Sequence, residues 1–260
     1  MMLEEICRAV LDVTKVTTIL KNKSGRARKL EGLEGDNQVM CGKLPKDPVL
    51  VPMNGAKHMA NLTFGQKTGL SYDQRPNHVF FASLSKDARM LDVFCHYGGF
   101  GLATLAGGAA SVMAVDGSKP TLDLAEAGAL ESNFKERFTT RKGDAFDVLT
   151  DLGQAGEKFD VVNCVPPAFV SSKQSLDASV RAYEKLARLA SLLVKDGGFL
   201  GLCSRSNAAS IAKFRTASLR GIGPAGRTAA LINNSFAGPD HPQHSQLSES
   251  GYLKSLVFRL

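Results

Sequence analysis

The sequence predicts an α/β protein: a mainly parallel sheet with helices on both faces, preceded by a small β-rich region. Three observations predict it. From about residue 75, strand-like apolar runs alternate with helix-like runs, the pattern of a parallel sheet joined by crossover helices. Clusters of glycine, aspartate and proline fall at the ends of those strand-like runs, where open sheets of this kind bind ligands. A chain of 260 residues with 43% hydrophobic content is long enough for one large domain, or for a small module plus a medium one.

The elements follow in order. Residues 1–20 read as strand-rich, because Val10, Val13, Val16, Thr17, Thr18 and Ile19 favour extended structure. Residues 21–29 form a basic, glycine-punctuated loop carrying Lys21, Lys23, Arg26, Arg28 and Lys29. Residues 38–65 hold short apolar runs between Gly, Pro and Asn turn signals and read as a small β region. The boundary is expected at residue 74, with 1–74 as the β-rich region and 75–260 as the second domain. After Pro76, PNHVFFASLS reads as a helix, and ARMLDVF (88–94) as a buried strand. The helix GLATLAGG, the strand ASVMAVD (110–116) and a helix over 119–134 with Pro120 in its first turn come next. A short strand in FTTRKGD leads to Asp144, and DAFDVLTDLG is helical. KFDVVNCVPP (158–167) is a strand stopped by two prolines, and 175–195 is a long helix. Gly197 and Gly198 turn into the strand FLGLCS; a helix near 207–220 and strands near 227–234 and 252–259 end the chain.

Composition excludes several classes. Charged residues at 22% suit an ordinary soluble protein rather than a disordered chain, a collagen or a coiled coil. No run of about 18 apolar residues suggests a membrane span. The opening MMLEEICRAVLDVTK has neither the basic head of a secretory signal nor the acid-poor character of a transit peptide. Five cysteines without CxxC or CxxH spacing argue against a disulfide framework and a structural zinc. A cytoplasmic location, or an organelle matrix, is expected. The net charge of +7 is unevenly spread. Residues 1–86 carry 13 basic and 8 acidic side chains, 87–201 carry 12 and 15, and 202–260 carry 7 and 2. Two basic ends around an acidic centre suit a polyanionic partner such as RNA.

Four motifs carry the candidate site. In LDVFCHYGGFG (91–101) a strand runs into glycines that let backbone approach a ligand at a helix start. It lacks the last small residue of GxGxxG/A, and the chain has no GxxxxGK[ST], so nicotinamide and P-loop readings are disfavoured. Asp116 ends the next strand, 17–18 residues after Gly99 and Gly98, close to the spacing of a ribose-binding carboxylate. Its alternative role is helix capping, which Ser118 ahead of Pro120 could also perform. Asp144 with Ala145 follows the third strand, where the carboxylate could accept from an exocyclic amine. Finally, Pro166 and Pro167 stiffen the loop beyond the fourth strand.

The order DVFxxYGGF, VDGS, GDAFD and FDVVxxxPPxF resembles class I S-adenosylmethionine-dependent methyltransferases, whose sheet is Rossmann-like. GQKTGLSYDQRPNH (65–78) is similar to the GxKTGxxxDQRxNR of bacterial large-subunit ribosomal RNA cytosine-C5 methyltransferases, as GPDHP and the YLK ending are to its late motifs. The resemblance covers about residues 25–260. It implies S-adenosylmethionine as cofactor. Tyr97, Gly98 and Gly99 would line its methionine end, Asp116 would hold the ribose hydroxyls and Asp144 with Ala145 would sit at the adenine, with Phe94 and Ser118 among the cofactor-binding residues. Lys67, Thr68, Asp73, Gln74 and Arg75 would wall the cofactor from the β region, and Pro166 and Pro167, with Lys67, would meet the target base.

The departures matter. The acid before the paired prolines is Val165 here, and valine cannot hydrogen-bond a pyrimidine ring. Without gaps, the position of the nucleophilic cysteine holds Arg205; a strand two residues shorter would put Cys203 there instead. Cys164, Cys95 and Cys7 read as structural and Cys41 as a loop thiol. His96 either touches the ligand or faces solvent, and His241 and His244 read as loop residues without a third metal ligand. The chain before residue 65 is too short for both the family's amino-terminal PUA-type RNA-binding domain and the β region, so RNA affinity would come from the basic ends. The resemblance therefore implies a methyltransferase acting on RNA, ribosomal RNA in particular, with no metal and no membrane partner expected, and leaves a homodimer open. A catalytically degenerate relative that binds ribosomal RNA is the alternative; a small-molecule methyltransferase fits the basic ends less well.

Overall fold

The computed structural model describes residues 2–21, 28, 31–33, 35–62, 69–169, 176–207 and 209–260. Most of the basic run 21–29, the GQKTG segment with Lys67 and Thr68, and the first residue of the expected helix at 175 lie outside the described residues. The chain forms two compact units, one of residues 1–49 and 61–64, the other of residues 50–60 and 65–260. The expected division at residue 74 therefore differs from the packing: a β-hairpin and the turn before Pro76 belong with the large unit.

The small unit holds α1 (Met2–Thr14) and an antiparallel pair, β1 (Ile19–Lys21) and β2 (Gln38–Cys41). The strand-rich reading of residues 1–20 is corrected. Leu3, Ile6, Val10 and Val13 recur at three- and four-residue steps, and Glu4 and Glu5 sit in the first turn. That periodicity and the helix dipole outweigh the strand preference of valine. Extended structure is confined to Ile19–Lys21 within that stretch.

The large unit opens with a hairpin of β3 (Val49–Met53) and β4 (Ala56–Ala60). Asn54 (φ 50°) and Gly55 (φ 79°) both occupy the left-handed region, as a two-residue type I′ turn requires. A single 3-10 turn, Tyr72–Gln74, leads into α2 (Arg75–Ser83), with Pro76 in its first turn. Then come β5 (Arg89–Val93), α3 (Gly99–Ala106), β6 (Ser111–Asp116), α4 (Lys119–Glu131), β7 (Phe138–Lys142) and α5 (Ala145–Gln154). The chain continues through β8 (Phe159–Cys164), α6 (Leu176–Leu192), β9 (Val194–Ser204), α7 (Ile211–Ile222), β10 (Ala230–Ser235) and β11 (Lys254–Arg259).

Seven strands form one sheet in the order β10-β11-β9-β8-β5-β6-β7. β5 to β9 run parallel, and β11 and β10 are antiparallel additions. The expected α/β architecture is thus present. Gly197 and Gly198 do not precede the strand as a turn. They lie inside β9, where its register with β8 jumps from Phe159↔Val194 to Val161↔Phe199. Alternate residues feed the two faces. Leu91, Val93, Val162 and Leu200 pack under α5, α6 and α7 with Leu149, Tyr183 and Phe214. Met90, Val112 and Val161 pack under α2, α3 and α4 with Phe81, Leu102 and Leu122. The chain builds outward from β5 in one direction through β6 and β7, then returns to place β8 on its other side. The carboxyl ends of β5 and β8 therefore flank a topological switch point. Among the described residues no helix is long and apolar enough to cross a membrane.

Candidate functional site

Beyond β5 the backbone enters a strained loop. Phe94 (φ 59°), His96 (φ 51°) and Gly98 (φ 77°) all lie in the left-handed region, which is costly for the two residues bearing side chains. The loop is held by Cys95 N donating to Val115 O (3.0 Å) and Gly98 N donating to Cys95 O (2.8 Å). A Cβ on Gly98 would stand 3.0 Å from that of Ala125. Glycine thus supplies both the conformation and the close approach of α4.

Asp116, at the end of β6, is locked into the same loop. Its Oδ2 accepts from His96 N (2.9 Å) and its Oδ1 from Ser118 N (2.9 Å). Two backbone donors fix the carboxylate, Thr121 Oγ1 also donates to Oδ1 (3.4 Å), and Oδ2 keeps a free lone pair. Asp116 lines a cavity of about 550 Å³ at the switch point, with Phe94, Tyr97, Gly99, Pro166 and Pro167. That volume lies in the range of small-molecule sites. A half-buried carboxylate with spare acceptors, glycine backbone and a dry wall of Phe94 and two prolines fit an adenosyl ligand.

The other expected residues divide. Gln74 and Arg205 also line this cavity. Gln74 is buried, and its Oε1 accepts from Asn77 Nδ2 (2.6 Å). Ser118 contributes its backbone amide to Asp116 rather than its hydroxyl, which makes no capping bond. Asp144 caps α5 by accepting from Phe146 N (2.8 Å) and Asp147 N (3.3 Å), Ala145 is buried in the core, and neither lines the cavity. Arg75 faces away into an ion pair with Asp240 (2.6 Å) and lies over the Tyr72 ring.

Arg205, one of the two residues the resemblance offers for the nucleophile position, lies in a charge network. The Arg205 guanidinium pairs with Asp73, and its Nη1 donates to Ser71 Oγ (3.3 Å). Asp73 also accepts from Tyr252 Oη (2.7 Å). Arg205, Ser71 and Tyr252 line a second cavity of about 380 Å³ as well. His241, read as a plain loop residue, also borders that cavity. Cys203, the alternative nucleophile, is fully buried and lines neither cavity. Burial pushes its thiol up to about 11, so the thiolate that nucleophilic chemistry needs is scarce near neutral pH. Cys164 is core, as expected, whereas Cys95 borders the large cavity.

Three lining residues were assigned no role from the sequence, although they fall within the GQKTGLSYDQRPNH and YLK motifs: His78, Ser71 and Tyr252. They come from α2, the turn before it and the approach to β11, and only the fold brings them together.

The chain matches a family model described as S-adenosylmethionine-dependent methyltransferase over residues 35–258. It is 32% identical over 260 residues to the ribosomal RNA large subunit methyltransferase I of Vibrio vulnificus (strain CMCP6), covering 99% of this chain and 66% of that protein. With the protein of the same name from Aeromonas salmonicida (strain A449) it shares 34% over 258 residues, 98% of this chain and 65% of that one. It thus spans just under two thirds of these relatives. A solved structure described as a methyltransferase complexed with SAH superposes with a TM-score of 0.83 at 19% identity, covering 100% of this chain and 66% of that one. A SAM-dependent methyltransferase from Agrobacterium tumefaciens gives a TM-score of 0.70 at 13% identity, covering 95% and 78%. At these identities the two structures speak for the fold alone. The family match reaches from β2 to the last strand and takes in the whole switch-point site, and on that ground the chain belongs to the S-adenosylmethionine-dependent methyltransferases.

Proposed function

We propose that this chain binds S-adenosylmethionine in the switch-point cavity and methylates RNA, a ribosomal RNA in particular. The observation that carries the cofactor half is Asp116, held at the cavity wall by the amides of His96 and Ser118 and the Thr121 hydroxyl, with acceptor capacity left on Oδ2. The RNA half is supported by the names of the relatives and by the two basic ends of the chain.

When bound, S-adenosylmethionine supplies an electrophilic methyl group on a positively charged sulfur. Asp116 accepts hydrogen bonds from the ribose hydroxyls and fixes the adenosyl unit. Phe94, Pro166 and Pro167, which line the cavity, would contact the bound cofactor and the acceptor beside it. Val165 takes no proton, and Arg205 donates rather than accepts. Cys203 is sealed. Thiolate addition to a cytosine is therefore unsupported, and direct transfer to a nitrogen or oxygen suits these residues better.

Val165 and the Arg205–Asp73 pair favour a second reading, in which the chain binds cofactor and ribosomal RNA but no longer catalyses. Calorimetric titration with S-adenosylmethionine, with Asp116→Ala as control, and transfer of labelled methyl to ribosomal RNA and ribosomal subunits separate the two. Micromolar binding lost in the variant, with label in RNA, supports the enzyme. Binding without label in any of these substrates leaves the degenerate relative. No binding at millimolar cofactor overturns the proposal.

A further inference from the structure

His78 is a buried imidazole on α2 whose ring borders the large cavity. Its tautomer follows from its neighbours. Asn54, at the hairpin turn, has its Nδ2 3.1 Å from Arg75 O and 3.3 Å from His78 Nδ1. The Arg75 carbonyl only accepts, so the amide must present its NH₂ group on this side. His78 Nδ1 then accepts the second amide hydrogen, and the ring proton resides on Nε2. Nε2 has no hydrogen-bond partner among the described residues. Burial pushes the imidazole down to about 3, and His58 and Arg205 act in the same direction against Asp73. The ring is thus a neutral donor across the physiological range.

That donor does not stand alone. A Cβ built on Gly99 would meet Tyr97 Oη at 2.9 Å and His78 Nε2 at 3.0 Å. Only glycine fits there, and its backbone, which lines the cavity, brings the two polar groups to one place on the cavity wall. Tyr97 Oη accepts from Ser71 N (3.2 Å), and its own proton has no acceptor among the described residues. Among the described residues neither donor hydrogen has an acceptor, and two converging donors suit a carboxylate.

We infer that His78 Nε2–H, with Tyr97 Oη–H, receives the α-carboxylate of the amino-acid end of the cofactor. The inference rests on the cofactor reading above and assigns His78 a binding role within it. It also gives the Asn54–Gly55 turn a purpose: Asn54 sets the tautomer of a residue it does not neighbour in sequence.

Two ligands test it by calorimetry: S-adenosylhomocysteine, which carries the carboxylate, and methylthioadenosine, which lacks the amino-acid end. His78→Ala is expected to weaken the first about 10- to 100-fold, the range of one hydrogen bond to a charged group, and to leave the second within about twofold. His78→Gln, which keeps a donor near Nε2, is expected to recover most of the loss. Equal losses for both ligands, or none for either, would overturn the inference. Nitrogen-15 NMR of the free protein provides an independent readout. The Nε2–H form, unchanged from pH 5 to pH 8, is expected; an Nδ1–H form or a titration in that window sinks the idea. If the wild type binds neither ligand, the cofactor reading fails and this inference with it; if the wild type binds both, only the variants decide.

Discussion

Asp92 lies fully buried on β5 beneath the strained loop, with Oδ2 accepting from Gly101 N (2.9 Å). Burial pushes its carboxyl up to about 7, against the hydrogen bonds from Gly101 and Asn163 and with added repulsion from Asp116. A carboxyl raised in the folded state binds more protons there than in the unfolded chain. Its contribution is complete below the unfolded pKa near 4 and is lost as pH rises through 7. Asp92→Asn should therefore flatten the decline of stability between pH 5 and pH 8, by on the order of 2 kcal/mol. Urea titrations of both proteins at the two pH values check this; parallel declines would refute it. The residue scale also shows uneven legibility. The place of Asp116 at the cavity wall was readable because it depends on a strand end and a spacing, both local in the chain. His78 was not, because its chemistry is set by Asn54 and Gly99, 24 and 21 positions away.

Among the elements, α6 and α7 pack most closely at a glycine. A Cβ on Gly221 would stand 2.3 Å from Glu184 O and 2.8 Å from Ala187 Cβ. Backbone cannot yield as a side-chain tip can, so Gly221→Ala must separate the helices. We expect a loss of about 1–3 kcal/mol, read as a lower melting temperature, with S-adenosylmethionine affinity retained at 10 °C because neither helix lines the cavity. Unchanged melting would show that the helices slide freely. The strands and helices after residue 75 were readable because buried parallel strands are short apolar runs bounded by glycine, proline or aspartate. Residues 1–20 were misread because propensity was weighed above the helical spacing of Leu3, Ile6, Val10 and Val13.

At the scale of the molecule, the charge is divided between basic ends and an acidic middle. If RNA is the partner, its affinity should fall steeply with salt, because bound cations release counterions from the phosphates. Neutralising Lys21, Lys23, Arg26 and Arg28 together should reduce the log–log slope by about 3, given roughly 0.7 per single-strand phosphate contact. Fluorescence anisotropy of a labelled ribosomal RNA fragment across salt concentrations measures it. An unchanged slope would place the RNA contacts elsewhere, in residues 202–260 for instance.

The sequence by itself determined the class of the fold, the order of the strands and helices after residue 75, and the cofactor family. Each of these depends on patterns a few residues long or on motifs repeated at strand ends. Against the family resemblance it also showed valine at 165 and arginine at 205 where the motifs carry an acid and, without gaps, the cysteine. Only the tertiary structure decided what fills the gap. Asp73 and Tyr252 are 132 and 47 positions from Arg205 in the chain, yet they close around its guanidinium. Cys203, two residues from Arg205, is sealed instead. Burial and partner choice depend on which strands and turns converge at the switch point, and no local pattern of residues encodes that convergence.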